Sequence, residues 1–206
     1  FTLDPIASLS DSLSGDFDAK EDVSAGYAMA TLGLNKTTTL LAGLRYERTE
    51  TTYGANELST TGGTFAGVFK RVTGSRSYSN LLPGLHFTSR SSDRLVLRAA
   101  WTNTLSRPNY ADLAPRRSFD AIETAVGSGV YTGSLNTGNP NLKPYESMNF
   151  DVSVEYYLKN AGILSLGAFH KEIDNPVFNR STLQTNVTVD GRFYSTLSTS
   201  SFDNAK

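Results

Sequence analysis

The sequence predicts an all-β chain, an antiparallel meander that forms part of a transmembrane β-barrel. Segments of alternating apolar and polar residues recur along the chain, and this period of two is typical of strands with one apolar face. The connections between them are short on one side and long on the other. The short ones are Asn35-Lys36, Ser91-Ser92-Asp93 and Lys159-Asn160. Membrane barrels combine short periplasmic turns with long extracellular loops, whereas a soluble β-sandwich has no reason to do so.

The composition limits the classes of protein. The 206 residues carry a formal net charge of −1, which gives no indication of a nucleic-acid partner. Cysteine is absent and the two histidines are His86 and His170, so we expect no metal site and no cofactor. No run approaches the ~18 apolar residues of a spanning helix, but a spanning barrel strand needs only about 9–11 residues. The chain opens without a Met, from which we expect that it begins partway through something longer or after processing.

Three hairpins are predicted around the short turns. The first joins residues 20–34 to a strand with Leu40 and Leu44 on its apolar face, the second joins 78–90 to 94–106, and the third spans 147–168. In the first strand we place Tyr27 on the apolar face, together with Val23, Ala25 and Met29. At Pro83 we expect a bulge or a locally unpaired position, because proline cannot donate to the ladder.

The remaining segments lack alternation and are predicted to be loops, namely residues 1–19, 54–76, 107–144 and 174–191. A seventh strand is then expected to begin at Arg192 and to stop at the last residues. The loop of roughly forty residues at 107–144 is too long for a compact soluble domain unless it has a function.

Aromatic residues give a further indication. Tyr27, Trp101 and Phe150 each lie about eight or nine residues from their short turn, near the height of the upper aromatic girdle of a membrane barrel ~25 Å tall. Phe87 and Tyr156 would then belong to the lower girdle. Aromatic strand residues equally fill the core of a soluble sandwich, so that alternative stays open.

Four segments, in this order, resemble the TonB-dependent receptor family, in the style common in xanthomonads and caulobacters. They are GLRYERTE at 43–50, LLPGL at 81–85 followed by LRAAWTNTLSRP at 97–108, GNPNLKPYES at 138–147, and FHKEIDNPVF at 169–178. The third differs slightly from the family's segment, since Tyr145 stands between the proline and the glutamate. The prolines predict a rigid loop exit at 138–146 and a strand end at Arg107-Pro108.

The resemblance implies a barrel of typically 22 strands with a plugged lumen, in the outer membrane of a Gram-negative bacterium. Residues 1–206 would supply about six full strands and part of a seventh. The plug domain, with the TonB box, is not recognisable in this sequence and would lie upstream. The implied partners are the TonB energy-coupling complex acting through the plug, outer-membrane lipid and lipopolysaccharide, and a small extracellular ligand.

Candidate ligand contacts lie in or beside the longest predicted loop. A pair of arginines suits carboxylate or phosphate groups, while amides, carboxylates and aromatic rings suit sugars. The alternative is that these residues form salt bridges within the loops or face lipopolysaccharide. The candidates are Arg107, Asn109, Tyr110, Asp112, Arg116 and Arg117.

Three functions follow from these observations. The first is TonB-dependent uptake of a siderophore, vitamin or carbohydrate by the full-length protein, without enzymatic activity. The second is a soluble all-β carbohydrate-binding module, which requires a second sheet over Leu44 and Phe150. The third is an outer-membrane barrel enzyme, for which His170 near Glu172 and Asp174 is the candidate group. The sequence does not say which ligand is bound.

Overall fold

The computed structural model describes residues 5–61 and 64–205, with side chains for all of these except residues 5–7, 11, 61 and 64–68. All the described strands belong to one sheet. No helix among the described residues is long and apolar enough to span a membrane. The elements are α1 (Pro5–Gly15), β1 (Phe17–Gly33), β2 (Thr38–Thr61), β3 (Thr64–Ser92), β4 (Leu95–Ser106), α2 (Tyr110–Leu113), β5 (Arg117–Glu123), β6 (Val130–Thr137), β7 (Tyr145–Tyr157), β8 (Ile163–Asp174), β9 (Val177–Val189) and β10 (Arg192–Asn204).

Six of these strands form what we call the wall, in the order β1-β2-β3-β4-β7-β8. Every neighbouring pair in the wall is antiparallel. The wall is therefore the antiparallel meander that the sequence predicts, and its three hairpins are the three predicted ones.

The three short turns lie side by side at one end of the wall. The backbone N–H of Arg90 donates to the carbonyl oxygen of Thr37 at 2.8 Å, and that of Tyr157 donates to the carbonyl oxygen of Arg94 at 2.8 Å. Asn35 closes the first turn, because its Oδ1 accepts from the backbone N–H of Thr37 at 2.9 Å. The long connections leave from the opposite end, as the turn asymmetry predicts.

The outward face of the wall is apolar and uncovered. Directly opposed residues on neighbouring strands share a face, and the register places Trp101 opposite both Leu85 and Phe150. Leu44, Phe150 and Val152 are 46%, 42% and 55% exposed. A sandwich would bury these side chains under a second sheet, whereas all the described strands form a single sheet. The soluble sandwich is therefore excluded, and the outward face is that of a membrane barrel.

The prediction for β1 was wrong about its faces. Tyr27 lies opposite Arg45, and Met29 lies opposite Gly43, so both belong to the inward face. The outward positions of β1 hold small residues such as Ala28 and Ala30. Alternation identifies two faces of a strand but does not say which is outward, and here the bulkier side chains face inward. Tyr27 is therefore no part of an outer aromatic girdle, and the girdle positions of the other aromatics stay predictions.

For Pro83 the sequence predicted either a bulge or a locally unpaired position, and the structure distinguishes between the two. Pro83 lies opposite Leu44 without any register shift, so the predicted bulge is wrong. The ladder between β3 and β4 starts only at Gly84 opposite Thr102, so Pro83 is unpaired on that edge. Because Pro83 has no N–H to donate, its place beyond the end of this ladder leaves no hydrogen bond unmade. Above Pro83, β3 and β4 diverge.

Two predicted loops are strands. Residues 54–58 pair with 69–73, so the β2–β3 hairpin extends far beyond the apolar band. Polar residues occupy both faces of the hairpin there. The sequence therefore loses its alternation of apolar and polar residues, although the backbone hydrogen bonds between the two strands continue. Residues 177–189 form β9, which pairs with β10 across Asp190-Gly191. Both turn residues have positive φ, 48° and 79°, and Asp-Gly is a hairpin signal that the loop prediction overlooked.

Strands β5, β6, β9 and β10 form what we call the loop sheet. β5 pairs in parallel with Glu57–Thr61 at the upper end of β2, while β10 pairs with β6 and β9. The strand predicted from Arg192 therefore exists, but it lies in the loop sheet and not beside the last wall strand, β8. The loop sheet has its own small core, formed by Phe119, Ala121, Leu135, Tyr194 and Leu197.

Two further loop predictions need correction. Residues 107–144 contain α2, β5 and β6 in place of one long loop. Residues 5–15 form helix α1, while residues 1–4 of the predicted loop 1–19 lie outside the described residues. Helix α1 is held against β2 by the side chain of Asn56, whose Nδ2 donates to the carbonyl oxygen of Leu13 at 3.1 Å.

Candidate functional site

Two segments cross the inward face of the wall, and we call them together the inner ledge, residues 107–116 and 138–144. The first must cross because β4 lies on one side of the β2–β3 hairpin while β5 pairs with the other edge of β2. Leu113 of the first segment and Leu142 of the second pack with Tyr53 of β2, and all three are buried. Burial raises the pKa of the Tyr53 hydroxyl. The ledge is therefore a packed structure on the inward face of the wall.

Backbone hydrogen bonds join the two segments. The N–H of Gly138 donates to the carbonyl oxygen of Arg116 at 3.1 Å, and that of Asn139 donates to the carbonyl oxygen of Asp112 at 2.8 Å. A Cβ on residue 138 would collide with the carbonyl oxygen of Ala114, so the close approach requires glycine. The two proline-containing motifs of the sequence thus meet in one structure, which accounts for their rigid geometry.

Arg107 attaches the ledge to two strands of the wall. Its Nη2 donates to Oε2 of Glu47 and to Oγ1 of Thr49, both at 3.0 Å, and its Nε lies 3.5 Å from Oε1 of Glu21. The side chains of Arg107, Glu47 and Glu21 are only 26%, 11% and 15% exposed. Glu47 also accepts from Nε of Arg45 at 2.6 Å. We call Arg107, Glu47, Glu21 and Thr49 the Arg107 cluster, in which each charge that leaves water gains a partner.

The surroundings of Arg107 and Tyr110 in the ledge shift the pKa values of both side chains upward. Burial lowers the pKa of Arg107, but the hydrogen bond to Glu47 and the nearby negative charges, Glu21 among them, outweigh it, so the pKa lies above its usual value. For Tyr110, burial raises the pKa of the hydroxyl, and the neighbouring Glu21 raises it further. Arg107 is therefore a cation, and Tyr110 is a neutral donor, at any physiological pH.

Asn109 and Tyr110, at the start of the short helix α2, are exposed residues of the first ledge segment. Tyr110 is 45% exposed. The carbonyl oxygen of Asn109 accepts from the N–H of Asp112 at 3.0 Å, and Nδ2 of Asn109 lies 3.4 Å from Oδ2 of Asp112. Asn109, Tyr110 and Asp112 therefore present amide, phenol and carboxylate groups together.

The two remaining candidates lie where the ledge meets the loop sheet, Arg116 as the last residue of the first ledge segment and Arg117 as the first residue of β5. Arg117 makes ion pairs with Glu57 at 2.8 Å and Asp190 at 3.1 Å, and its guanidinium stands 4.8 Å from the ring centroid of Phe119. Arg116 borders a cavity with a volume of about 280 Å³. The six candidates thus fall into three environments: Arg107 in its cluster, three residues around α2, and two arginines at the junction of the ledge with the loop sheet.

The chain matches a known family. The model of the family described as TonB dependent receptor-like, beta-barrel, matches residues 2–205, nearly the whole chain. The chain belongs to this TonB-dependent receptor family. Its members are outer-membrane proteins of Gram-negative bacteria.

Solved structures of TonB-dependent receptors share the fold. The chain aligns with the ferric-catecholate import receptor Fiu from Escherichia coli K12 at a TM-score of 0.56 and 15% identity, covering 86% of this chain and 24% of that one. It aligns with the hemophore receptor HasR of Serratia marcescens, solved as a double mutant in complex with its hemophore HasA and heme, at a TM-score of 0.55 and 17% identity, covering 89% and 29%.

A third similar structure is a mutant of the ferric enterobactin receptor PfeA from Pseudomonas aeruginosa, with a TM-score of 0.50 and 14% identity, covering 91% of this chain and 31% of that one. The chain thus spans about a quarter to a third of the length of these receptors. No curated protein sequence matches the chain.

Sequence reasoning missed the wall residues of the Arg107 cluster. Glu21, Glu47 and Thr49 lie on strands whose polar faces carry many similar residues, so nothing local marks them out. The available signal was that Arg45 and Glu47 occupy alternate positions of one strand, which places both charges on the same face. Among the described residues, no group of three or more His, Asp or Glu side chains is arranged to hold a metal ion.

Proposed function

We propose that the full-length receptor imports a small extracellular ligand through its barrel, with energy supplied by the TonB complex acting on a plug domain. The observation that carries this proposal is the inner ledge. A passive pore needs an open lumen, whereas this chain packs two segments across the inward face of its wall and fixes them with the Arg107 cluster. A lumen that is obstructed in this way favours gated, energy-coupled import.

We further propose that Asn109, Tyr110 and Asp112 contact the ligand. Asn109 and Tyr110 are exposed and Asp112 is partly exposed on the first ledge segment. They follow closely after Arg107, which lines a concavity on the inward face. That concavity has a volume of about 660 Å³, within the ~300–1,000 Å³ range of typical ligand pockets. Nη2 of Arg107 donates to two residues of the wall, and its Nε lies 3.5 Å from Oε1 of Glu21, which favours a positioning role for this residue.

The ligand classes are a siderophore, a vitamin or a carbohydrate. Fiu, PfeA and HasR are described as receptors for ferric catecholate, ferric enterobactin and a heme-carrying hemophore, which makes iron compounds the first probes to test. Oligosaccharides come next, because amide, phenol and carboxylate groups hydrogen-bond sugar hydroxyls equally well. The alternative of a barrel enzyme has little support, since His170 and its partner Glu172, 3.3 Å away, are both largely exposed.

Uptake is expected to depend on TonB. The measurement is accumulation of radiolabelled ferric enterobactin, haem iron or labelled oligosaccharide by cells with the full-length receptor, compared with cells that lack the receptor or lack TonB. We expect accumulation to fall to background in both deletion strains, while surface binding persists without TonB. Unchanged accumulation in the strain without TonB would make a passive pore the better description.

A further inference from the structure

A second cavity lies where the end of the first ledge segment, at Arg116, meets the loop sheet, and we propose that it is an accessory binding site for an anionic sugar. This outer cleft has the volume of about 280 Å³ given above and is bordered by α1, β2 and the loop sheet. Its lining residues include Asn56, Leu58, Arg116, Ser118, Asn136, Asn179, Ser200 and Phe202.

The register places the outer cleft on the outward side of the sheet. The pairing of β2 with β3 has no shift from Leu44 to Leu58, so these even-numbered positions share a face. Leu58 lies opposite Ser118, Ser118 opposite Asn136, and Asn136 opposite Ser200. These four residues therefore lie on the same, outward face as Leu44. Glu47 and Tyr53, which contact the ledge, lie on the inward face. A ligand in this cleft is outside the barrel lumen.

The charge in the outer cleft comes from Arg116. Its side chain is partly buried and makes no ion pair or hydrogen bond with any described residue, in contrast to Arg117 beside it. Its backbone is fixed on both sides, since its N–H donates to the carbonyl oxygen of Ala114 at 2.8 Å and its own carbonyl oxygen accepts from Gly138. A positioned, unpaired guanidinium binds a carboxylate or phosphate group through two parallel hydrogen bonds.

The other lining residues supply the groups that a sugar needs. Ser118 and Asn136 have side chains without a hydrogen bond to a described residue, so they are available to sugar hydroxyls. Oδ1 of Asn179 accepts from Oγ of Ser200 at 3.0 Å, which leaves the Asn179 amide group free to donate. Phe202 adds an apolar surface. The unpaired Arg116, beside the ion-paired Arg117, together with several neutral hydrogen-bonding groups and one ring, matches a sugar that carries an acidic group.

The size of the outer cleft limits what fits. Its volume lies just below the ~300–1,000 Å³ of pockets that enclose drug-sized ligands, so we assign it one acidic sugar unit of a longer glycan. Such a unit has two sources with the same chemistry. One is a uronic acid of a free oligosaccharide, and the other is an acidic sugar of lipopolysaccharide. Binding here goes beyond the proposed uptake and is measurable whether or not uptake occurs.

The test is calorimetric titration of the purified full-length receptor with three probes. These are trigalacturonic acid, the delipidated core oligosaccharide of lipopolysaccharide, and neutral maltotriose. We expect at least one acidic probe to bind and maltotriose to bind at least tenfold more weakly. Arg116→Ala should weaken binding of the acidic probe by roughly ten- to a hundredfold. Asn136→Leu, on the exposed rim, should weaken it by a smaller factor.

Arg48→Ala is the matched control, because Arg48 is also on the outward face but is ion-paired with Glu50 and does not line the outer cleft. Its binding should equal that of the unmodified receptor, and the heat-modifiable migration of all variants in gels checks that the barrel is folded. Which acidic probe binds identifies the source. The proposal is overturned if neither acidic probe binds, if maltotriose binds equally well, or if folded Arg116→Ala and Asn136→Leu both retain full affinity.

Discussion

Arg107→Ala is expected to release the inner ledge from the wall of the full-length receptor. The change removes the hydrogen bonds to Glu47 and Thr49 and leaves Glu21 without its cation. Breaking a fully buried ion pair costs about 3–5 kcal/mol, and since a quarter of the Arg107 side chain is exposed we expect about 2–3 kcal/mol here. That loss lowers the free energy of local opening of the ledge and leaves the wall intact.

Hydrogen exchange of the backbone amides in residues 107–116 measures this effect. A loss of about 2–3 kcal/mol raises their exchange rate roughly 30- to 150-fold, because exchange follows the local opening equilibrium. Arg107→Lys keeps the charge but not the fork of donors, so its exchange should be intermediate. Uptake of the ligand should fall along the same series, since the ledge carries the proposed ligand contacts.

Arg48→Ala again provides the control. Arg48 and Glu50 form an ion pair on the outward face of the same strand at 2.7 Å, with each side chain 56% exposed. Exposed pairs contribute about 0–1 kcal/mol, so exchange in residues 107–116 should stay at the rate of the unmodified receptor. Equal exchange rates in Arg107→Ala and Arg48→Ala would show that the Arg107 cluster does not hold the ledge.

Leu166→Arg is expected to prevent assembly of the receptor in the outer membrane. Leu166 is 73% exposed on the outward face, opposite Val154 and four positions beyond Gly162 of the last short turn. It therefore lies inside the apolar band. An arginine facing lipid costs about 2–4 kcal/mol near the middle of the bilayer, a large part of the stability of a typical protein.

The neighbouring residue supplies the comparison. Ser165 lies opposite Glu155 on the inward face, so Ser165→Arg places the same charge beside a carboxylate and away from lipid. We expect this variant to reach the outer membrane at the level of the unmodified receptor, measured as the heat-modifiable barrel in outer-membrane fractions. Normal assembly of Leu166→Arg, or equal loss of both variants, would contradict the assignment of the two faces.

Local signals were sufficient for the wall. Short polar turns, period-two alternation and the position of Pro83 are properties of adjacent residues, and the structure confirms the three hairpins that they predict. The inward position of Tyr27 could not be obtained in this way, because the two faces of β1 differ in side-chain size more than in polarity. Only its register with Arg45 on β2 shows which face is inward.

The ledge and the loop sheet depend on contacts between distant residues. Arg107 and Glu47 are 60 positions apart, and the parallel pairing of β5 with β2 joins residues separated by a similar distance. A single sequence contains no local trace of such pairs. The proline motifs predicted a rigid loop exit at 138–146, which stays a prediction, and they did not indicate that Leu142 packs against Tyr53. The Asp190-Gly191 turn, by contrast, was a local signal for the β9–β10 hairpin.

Labelling of single cysteines on intact cells tests the central claim, that this chain is a membrane-barrel wall with short turns in the periplasm and its loop sheet outside. These 206 residues contain no cysteine, so Val126→Cys in the fully exposed β5–β6 turn and Asn160→Cys in the last short turn each add one defined thiol. With a membrane-impermeant maleimide, we predict that Val126→Cys reacts on intact cells and that Asn160→Cys reacts only after the outer membrane is permeabilised. Labelling of Asn160→Cys on intact cells, with Val126→Cys protected, would contradict the account.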